Sequence, residues 1–286
     1  MNSSKLKWFL IFIFLAANVY FLFQYNAYST ALEVYTDSEI ESASKILSQN
    51  GIPIDADTIP RKKTTEDVLK LIFDDSKQED VARHIMNEKF ASYVLPDGIA
   101  YTNNSESLIF YSDSSIEYTV GAEFSISRKT DIQYLDLNDS DQKVFSKKLT
   151  SKIFTQNLTD SYKMSFKILD AYTSDGKTYV TAIQQINGIS IDQGEVTAVF
   201  TGDNVTYIKG KIYFSQNISQ YSADSLDVIN VLFNIESGKS KIEKIEEIYF
   251  PVTTDNGSVY LTPSYKLSYS NGEKHLWDAT SCVQRY

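Results

Sequence analysis

The chain has 286 residues, a net charge of −10, 42% hydrophobic residues, one cysteine and two histidines. The acidic balance excludes a broad basic face for nucleic acid. The single cysteine excludes an internal disulfide, and two distant histidines with no cysteine pair exclude the usual structural zinc spacings.

The first element is apolar. Between Leu6 and Phe23 the only charge is Lys7. As a helix, Leu6 to Tyr25 would span about 30 Å, roughly the thickness of a bilayer's hydrocarbon core. Lys5 and Lys7 precede the run and no Lys or Arg follows until Lys45. That asymmetry predicts a single-pass anchor in the cell membrane, with the N-terminus cytoplasmic and the remainder extracellular. A secretory signal cleaved near Ser29-Thr30-Ala31 is the competing reading. Ala16-Ala17-Asn18 interrupts the bulky run. Small residues let a second helix approach and an amide in lipid seeks a polar partner. Ala16, Ala17 and Asn18 are therefore the candidate partner-binding residues, against the alternative of a passive anchor.

Thr36-Asp37-Ser38-Glu39 has the pattern of a capping box, and Ile40, Ala43, Ile46 and Leu47 share one helical face before Gly51 stops the element. Gly51-Ile52-Pro53-Ile54 is Pro-broken and too short for a helix. A second helix is expected from Thr64 or Thr65, with Val68, Leu71 and Ile72 inward, and a third from Ser76, carrying Val81, Ala82, Ile85 and Met86. Between Tyr93 and Leu137, short β-prone runs at 100–101, 107–111, 116–120 and 123–126 alternate with turn residues, as in an antiparallel meander.

The remainder reads as a weak repeat of a helix followed by strands. The first copy has a helix near Asp139 to Thr155 with Phe145, Leu149 and Ile153 on one stripe. An alternating strand through Met164, Phe166 and Ile168 follows, then a hairpin at Ser174-Asp175-Gly176-Lys177 and strands at 178–186, 194–201 and 205–214. The second copy has a helix at Ser222 to Ile235 ended by Gly238, a strand near Ile245 to Val252 turning at Asp255-Asn256-Gly257 into Val259 to Tyr269, and a last strand after Asn271-Gly272. The expected fold class is α+β: a single N-terminal transmembrane helix followed by tandem helix-plus-antiparallel-sheet modules. The expected boundaries are 1–5 for a cytoplasmic tail, 6–28 for the anchor, 29–137 for a first α+β domain, and 138–220 and 221–286 for two further modules.

Catalytic chemistry is not visible in this pattern. His84 lies between Ala82 and Ile85 on an expected helix, and His275 precedes Leu276 and Trp277 on a strand. Gly-x-Ser-x-Gly and Gly-x-Gly are absent, and Cys282 has no obvious activator. Asn138-Asp139-Ser140-Asp141 lacks the glycine and closing glutamate of a calcium loop and reads as a helix cap. No catalytic, cofactor-binding or metal-binding residue is nominated.

Near the C-terminus, Ile245-x-x-Ile248-Tyr249, Leu261-Thr262-Pro263-Ser264-Tyr265, Asn271-Gly272 and Trp277-Asp278-Ala279 resemble the pattern of the YycI family and its relative YycH. Asn50-Gly51-Ile52 and Pro60-Arg61-Lys62 fall where that family has similar short motifs, while Tyr265 replaces an aromatic that is often Trp. The resemblance implies a non-catalytic regulator of a WalK-like sensor histidine kinase controlling cell-wall metabolism. Its implied partners are that kinase, a YycH-like membrane protein and the lipid bilayer. An anchored binding or protease-inhibitor module of the PepSY type, or an enzyme acting on wall polymers, are the competing classes.

Overall fold

The structure is a computed structural model that describes residues 12–21, 34–63, 66–73, 77–86, 89–121, 132–215, 217–236, 240–254 and 258–285. These fall into two compact units: Met1–Glu66, Asp224–Glu246 and Tyr265–Tyr286 form the smaller, and Asp67–Ala223 and Glu247–Ser264 the larger.

The larger unit is dominated by one antiparallel-rich sheet. Its strands are β1 (Val68–Ile72), β2 (Ala91–Leu95), β3 (Gly98–Thr102), β4 (Glu106–Tyr111), β5 (Ser115–Val120), β6 (Gln133–Tyr134), β7 (Ser165–Ser174), β8 (Lys177–Ile186), β9 (Ile189–Thr201), β10 (Asn204–Lys211) and β11 (Asn217–Tyr221). The turn-proximal ends of β12 (Ile242–Thr253) and β13 (Val259–Tyr269) complete it. The order β11-β1-β13-β12-β9-β10-β5-β4-β3-β2 is not the chain order, and β8, β7 and β6 branch from β9.

Strand β9 is the hub. β8 lies antiparallel along one edge, from Thr178 opposite Phe200 to Ile186 opposite Ile189. On the other edge β10 takes the C-terminal half, and β12 pairs in parallel with Ser190 and Ile191. The neighbouring strands pack closely at Gly210, whose φ is +149° and where a Cβ would lie 2.2 Å from the Glu195 carbonyl oxygen. The hairpin at Asp175-Gly176 has φ of 52° and 71°, the left-handed pair that a tight two-residue turn requires.

Two helices and a shorter third cover this sheet: α2 (Gln78–Met86), α3 (Asp139–Ile153) and α4 (Gln156–Tyr162). The Asn138 side chain caps α3 by accepting from the backbone N–H groups of Ser140 (2.9 Å) and Asp141 (3.0 Å), as its residue type predicts. Leu149 and Ile153 go under α3 into the core, where the rings of Phe154 and Phe166 stack at 5.4 Å.

The smaller unit holds α1 (Asp37–Gln49), α5 (Val228–Phe233), the other ends of β12 and β13, and β14 (Lys274–Asp278). The capping box forms: the Thr36 hydroxyl accepts from the Glu39 N–H, and the Glu39 carboxylate accepts from the Thr36 N–H at 2.7 Å. Ile40, Ala43 and Leu47 of α1 meet Val228, Val231 and Leu232 of α5 around Tyr265, Leu267 and Trp277.

The expected architecture needs correction in two respects. Tandem helix-plus-sheet modules are not found, because β1 to β13 are hydrogen-bonded into one sheet that draws on sequence from 68 to 264. Strand accounts for 45% of the described residues against 27% helix. The single N-terminal transmembrane helix is also overturned. Among the described residues no helix is long and apolar enough to cross a membrane. The described helical residues of that stretch are 12–21. Residues 6–11 and 22–28 of the expected span lie outside the described residues, as do the strand expected at 123–126 and the turn at 255–257.

Smaller corrections follow from burial. Val68–Ile72 is a strand because Leu69 and Leu71 alternate into the core between β11 and β13. The helix expected over 222–235 is only α5, because Asp227 caps it late by accepting from the Asn230 N–H at 2.9 Å.

Asp278 is the buried polar anchor of the smaller unit. Its carboxylate accepts from Thr280 N (2.8 Å), Thr280 Oγ1 (2.6 Å), Ser281 N (3.1 Å) and the Arg285 guanidinium. Burial alone would push its pKa up, but these donors overcome burial and hold it below the usual carboxylate range. A depressed folded-state value contributes stability that is complete above the unfolded value and lost as pH falls through the folded one. Thermal unfolding of the full chain should therefore lose stability below about pH 4, and Asp278→Asn should flatten that branch while lowering stability at neutral pH. An unchanged acid branch in the variant would contradict this assignment.

Candidate ligand-binding groove

Helix α3 sorts its lysines onto two sides. Lys148 and Lys152 are one turn apart and turn toward the sheet's loops. Lys148 Nζ donates to Asp203 Oδ1 at 2.6 Å. Lys152 Nζ donates to the Ile85 carbonyl at 2.5 Å, lies 3.9 Å from Glu106 Oε1 and sits 4.5 Å from the Tyr118 ring centre. Burial lowers its pKa, against the pull of Glu106. Lys143 and Lys147, the other pair one turn apart, make no ion pair among the described residues.

That second side borders a cavity of about 740 Å³, open to solvent. The volume is in the range of small-molecule and peptide sites. Phe154 and Met164, both buried, give it an apolar floor, and Lys143, Lys147 and Lys163 stand at its mouth. Lys163 ends α4 in the left-handed region, φ 49° and ψ 36°, a conformation uncommon for a residue other than glycine. Gly188, in the β8–β9 turn, completes the lining.

Two residues that line this cavity each carry a buried polar atom with no hydrogen-bond partner among the described residues: His84 Nε2 and Thr150 Oγ1. The neighbouring hydroxyls are committed to backbone, Ser146 donating to the Phe166 carbonyl and Ser151 to the Lys148 carbonyl at 3.0 Å. No carboxylate lines the cavity among the described residues, so the His84 imidazole has no acidic group there to orient it. The chemistry of the lining is that of holding a ligand: apolar surface below and cations at the rim.

The residues nominated from sequence lie elsewhere. Ala16, Ala17 and Asn18 sit on the helical stretch 12–21, and Asn18 Nδ2 donates to the Phe14 carbonyl one turn back at 2.8 Å. His275 lies in the smaller unit, 5.0 Å from the Tyr269 ring and 4.0 Å from Glu273 Oε2. Cys282 is half-buried, and burial with the Asp278 charge pushes its thiol pKa up, away from a reactive thiolate. The groove itself left a trace in sequence, lysines at 143 and 147 and again at 148 and 152, two i,i+4 rows on one helix.

No protein-family model matches the chain, and no curated protein matches it. Among solved structures, an uncharacterized protein from Eubacterium rectale is 10% identical with a TM-score of 0.39, covering 82% of this chain and 89% of that one. The Bacillus megaterium YpeB C-terminal domain is a further structural neighbour, 14% identical with a TM-score of 0.37, covering 75% and 96%. Overlaps this low carry no argument about activity.

A buried hydroxyl without a partner costs roughly 1–3 kcal/mol relative to one that is satisfied. Thr150→Val should therefore raise the stability of the free chain by about 1 kcal/mol, read as a higher urea midpoint at unchanged slope. A lower midpoint would mean that the hydroxyl has a partner in the folded chain.

Proposed function

We propose that this chain is a non-catalytic, exported binding module, of the kind exemplified by PepSY-type inhibitors, which works by holding a segment of another protein in the groove beside α3. The observation that carries the reading is one open cavity that pairs an apolar floor with a rim of three exposed lysines, and that is lined by His84 and Thr150, whose Nε2 and Oγ1 are buried without a partner among the described residues. Export is supported by Lys5 and Lys7 preceding the apolar run, with a cleavage candidate at Ser29-Thr30-Ala31.

A narrower version makes the partner a WalK-like sensor histidine kinase, regulated in company with a YycH-like membrane protein. Its support is the sequence resemblance. Of the residues that carry it, Tyr249, Leu261, Tyr265, Trp277, Asp278 and Ala279 are buried and speak for a way of folding, while Asn50, Gly51, Arg61, Lys62, Asn271 and Gly272 are exposed. To regulate, the chain would have to bind one kinase state more tightly than the other, since equal affinity shifts nothing.

Amide exchange on the full chain, with and without the extracytoplasmic part of a sensor kinase from the same organism, tests both versions. The kinase version predicts protection across 143–165 together with a changed autophosphorylation rate. Protection there from another exported protein alone rejects the kinase and keeps the binding module. Protection confined to other segments for every partner tried rejects both.

A further inference from the structure

We propose that the groove beside α3 recognises an acidic peptide segment, one that alternates carboxylates with large apolar side chains. This inference rests on the binding-module reading and names its ligand class.

Charge placement is the first argument. The chain is acidic, with a net charge of −10, yet Lys143, Lys147 and Lys163 gather at one cavity mouth without a carboxylate partner among the described residues. Like charges one turn apart repel. On the same helix the equivalent pair, Lys148 and Lys152, is neutralised by Asp203 and Glu106. The surface thus answers its own lysines on one side of α3 and leaves them for a ligand on the other.

Depth is the second argument. Thr150, 8% exposed, and His84 line the cavity, and the Thr150 hydroxyl and His84 Nε2 lie beneath its surface, each without a partner among the described residues. Buried polar groups in native folds nearly always have one. A carboxylate or backbone carbonyl of a ligand reaching past the lysines would supply an acceptor for the Thr150 O–H, while an apolar side chain would cover Phe154 and Met164.

Spacing then chooses among anions. The three cations stand on two elements, α3 and the end of α4, so they call for several carboxylates along a chain. A single-headed amphiphile would satisfy only one position. A nucleic acid would meet the repulsion of the acidic remainder.

The test is fluorescence anisotropy of the full-length chain with a labelled hexapeptide alternating Glu with Leu and Phe, against the same peptide with Gln for Glu. Lys143→Glu with Lys147→Glu, both exposed, should weaken the acidic peptide roughly tenfold or more and remove most of its salt dependence. Thr150→Val should weaken it several-fold, with Thr150→Ser restoring affinity. Equal binding of the Gln peptide, indifference to the lysine reversal, or displacement by equimolar oleate would overturn the acidic-peptide inference. The first two outcomes leave the groove as a site for apolar segments, provided Ser151→Trp, which obstructs the mouth, abolishes binding. Failure of both peptides to bind removes the inference and the binding reading together.

Discussion

Helix α3 has to hide one stripe of its surface, and the sheet is what it hides against. Leu149, Ile153 and the Phe154 that follows are buried, each contributing about 1.5–3 kcal/mol relative to exposure. Ser146 ties the helix to β7 through the Phe166 carbonyl, Lys148 ties it to the turn bearing Asp203, and Lys152 to Glu106 at the start of β4. Once that stripe and that pair of lysines are fixed, the geometry of a 3.6-residue turn leaves Lys143 and Lys147 on the remaining side. The chain then turns at Phe154, forms α4 and stops it at Lys163 in a left-handed conformation, which closes the groove's far wall. The floor, mouth and unpartnered hydroxyl of the groove all descend from how α3 docks.

The local signals read from sequence were those with a short-range physical cause. The Thr36–Glu39 capping box, the Asn138 cap, the Asp175-Gly176 turn and the β3–β5 meander form as their residues dictate. What did not show was long-range pairing. β1 reads as a helix in isolation because Val68, Leu71 and Ile72 fit a helical face as well as a strand; only its place between β11 and β13 decides. β11 was missed because Ile218 is its one buried residue, too little for a visible period. The repeat of helix and strands suggested separate modules, whereas β12 crosses back to pair with β9 in parallel, a contact with no local signature.

The site was less legible than the fold. The double row of lysines on α3 is plain in the sequence, but lysines on a helix ordinarily mark a solvated face. Their meaning comes from which row finds carboxylates, and that depends on Asp203 and Glu106, far along the chain. His84 shows the same limit. Its neighbours Ala82 and Ile85 are buried, as the helical pattern implies, yet it lines a cavity whose other residues run from Lys143 to Gly188. Of the C-terminal motifs, Tyr249, Leu261, Tyr265 and Trp277-Asp278-Ala279 are core, and a core is a poor guide to a partner.

A crystal structure of the full chain soaked with the Glu/Leu/Phe hexapeptide puts the account to its most direct test. It predicts an apolar side chain over Phe154 and Met164, a ligand oxygen within hydrogen-bonding distance of Thr150 Oγ1, and carboxylates beside Lys143, Lys147 and Lys163. Peptide seated against the β2 edge or the smaller unit, with the α3 groove left vacant, would contradict it.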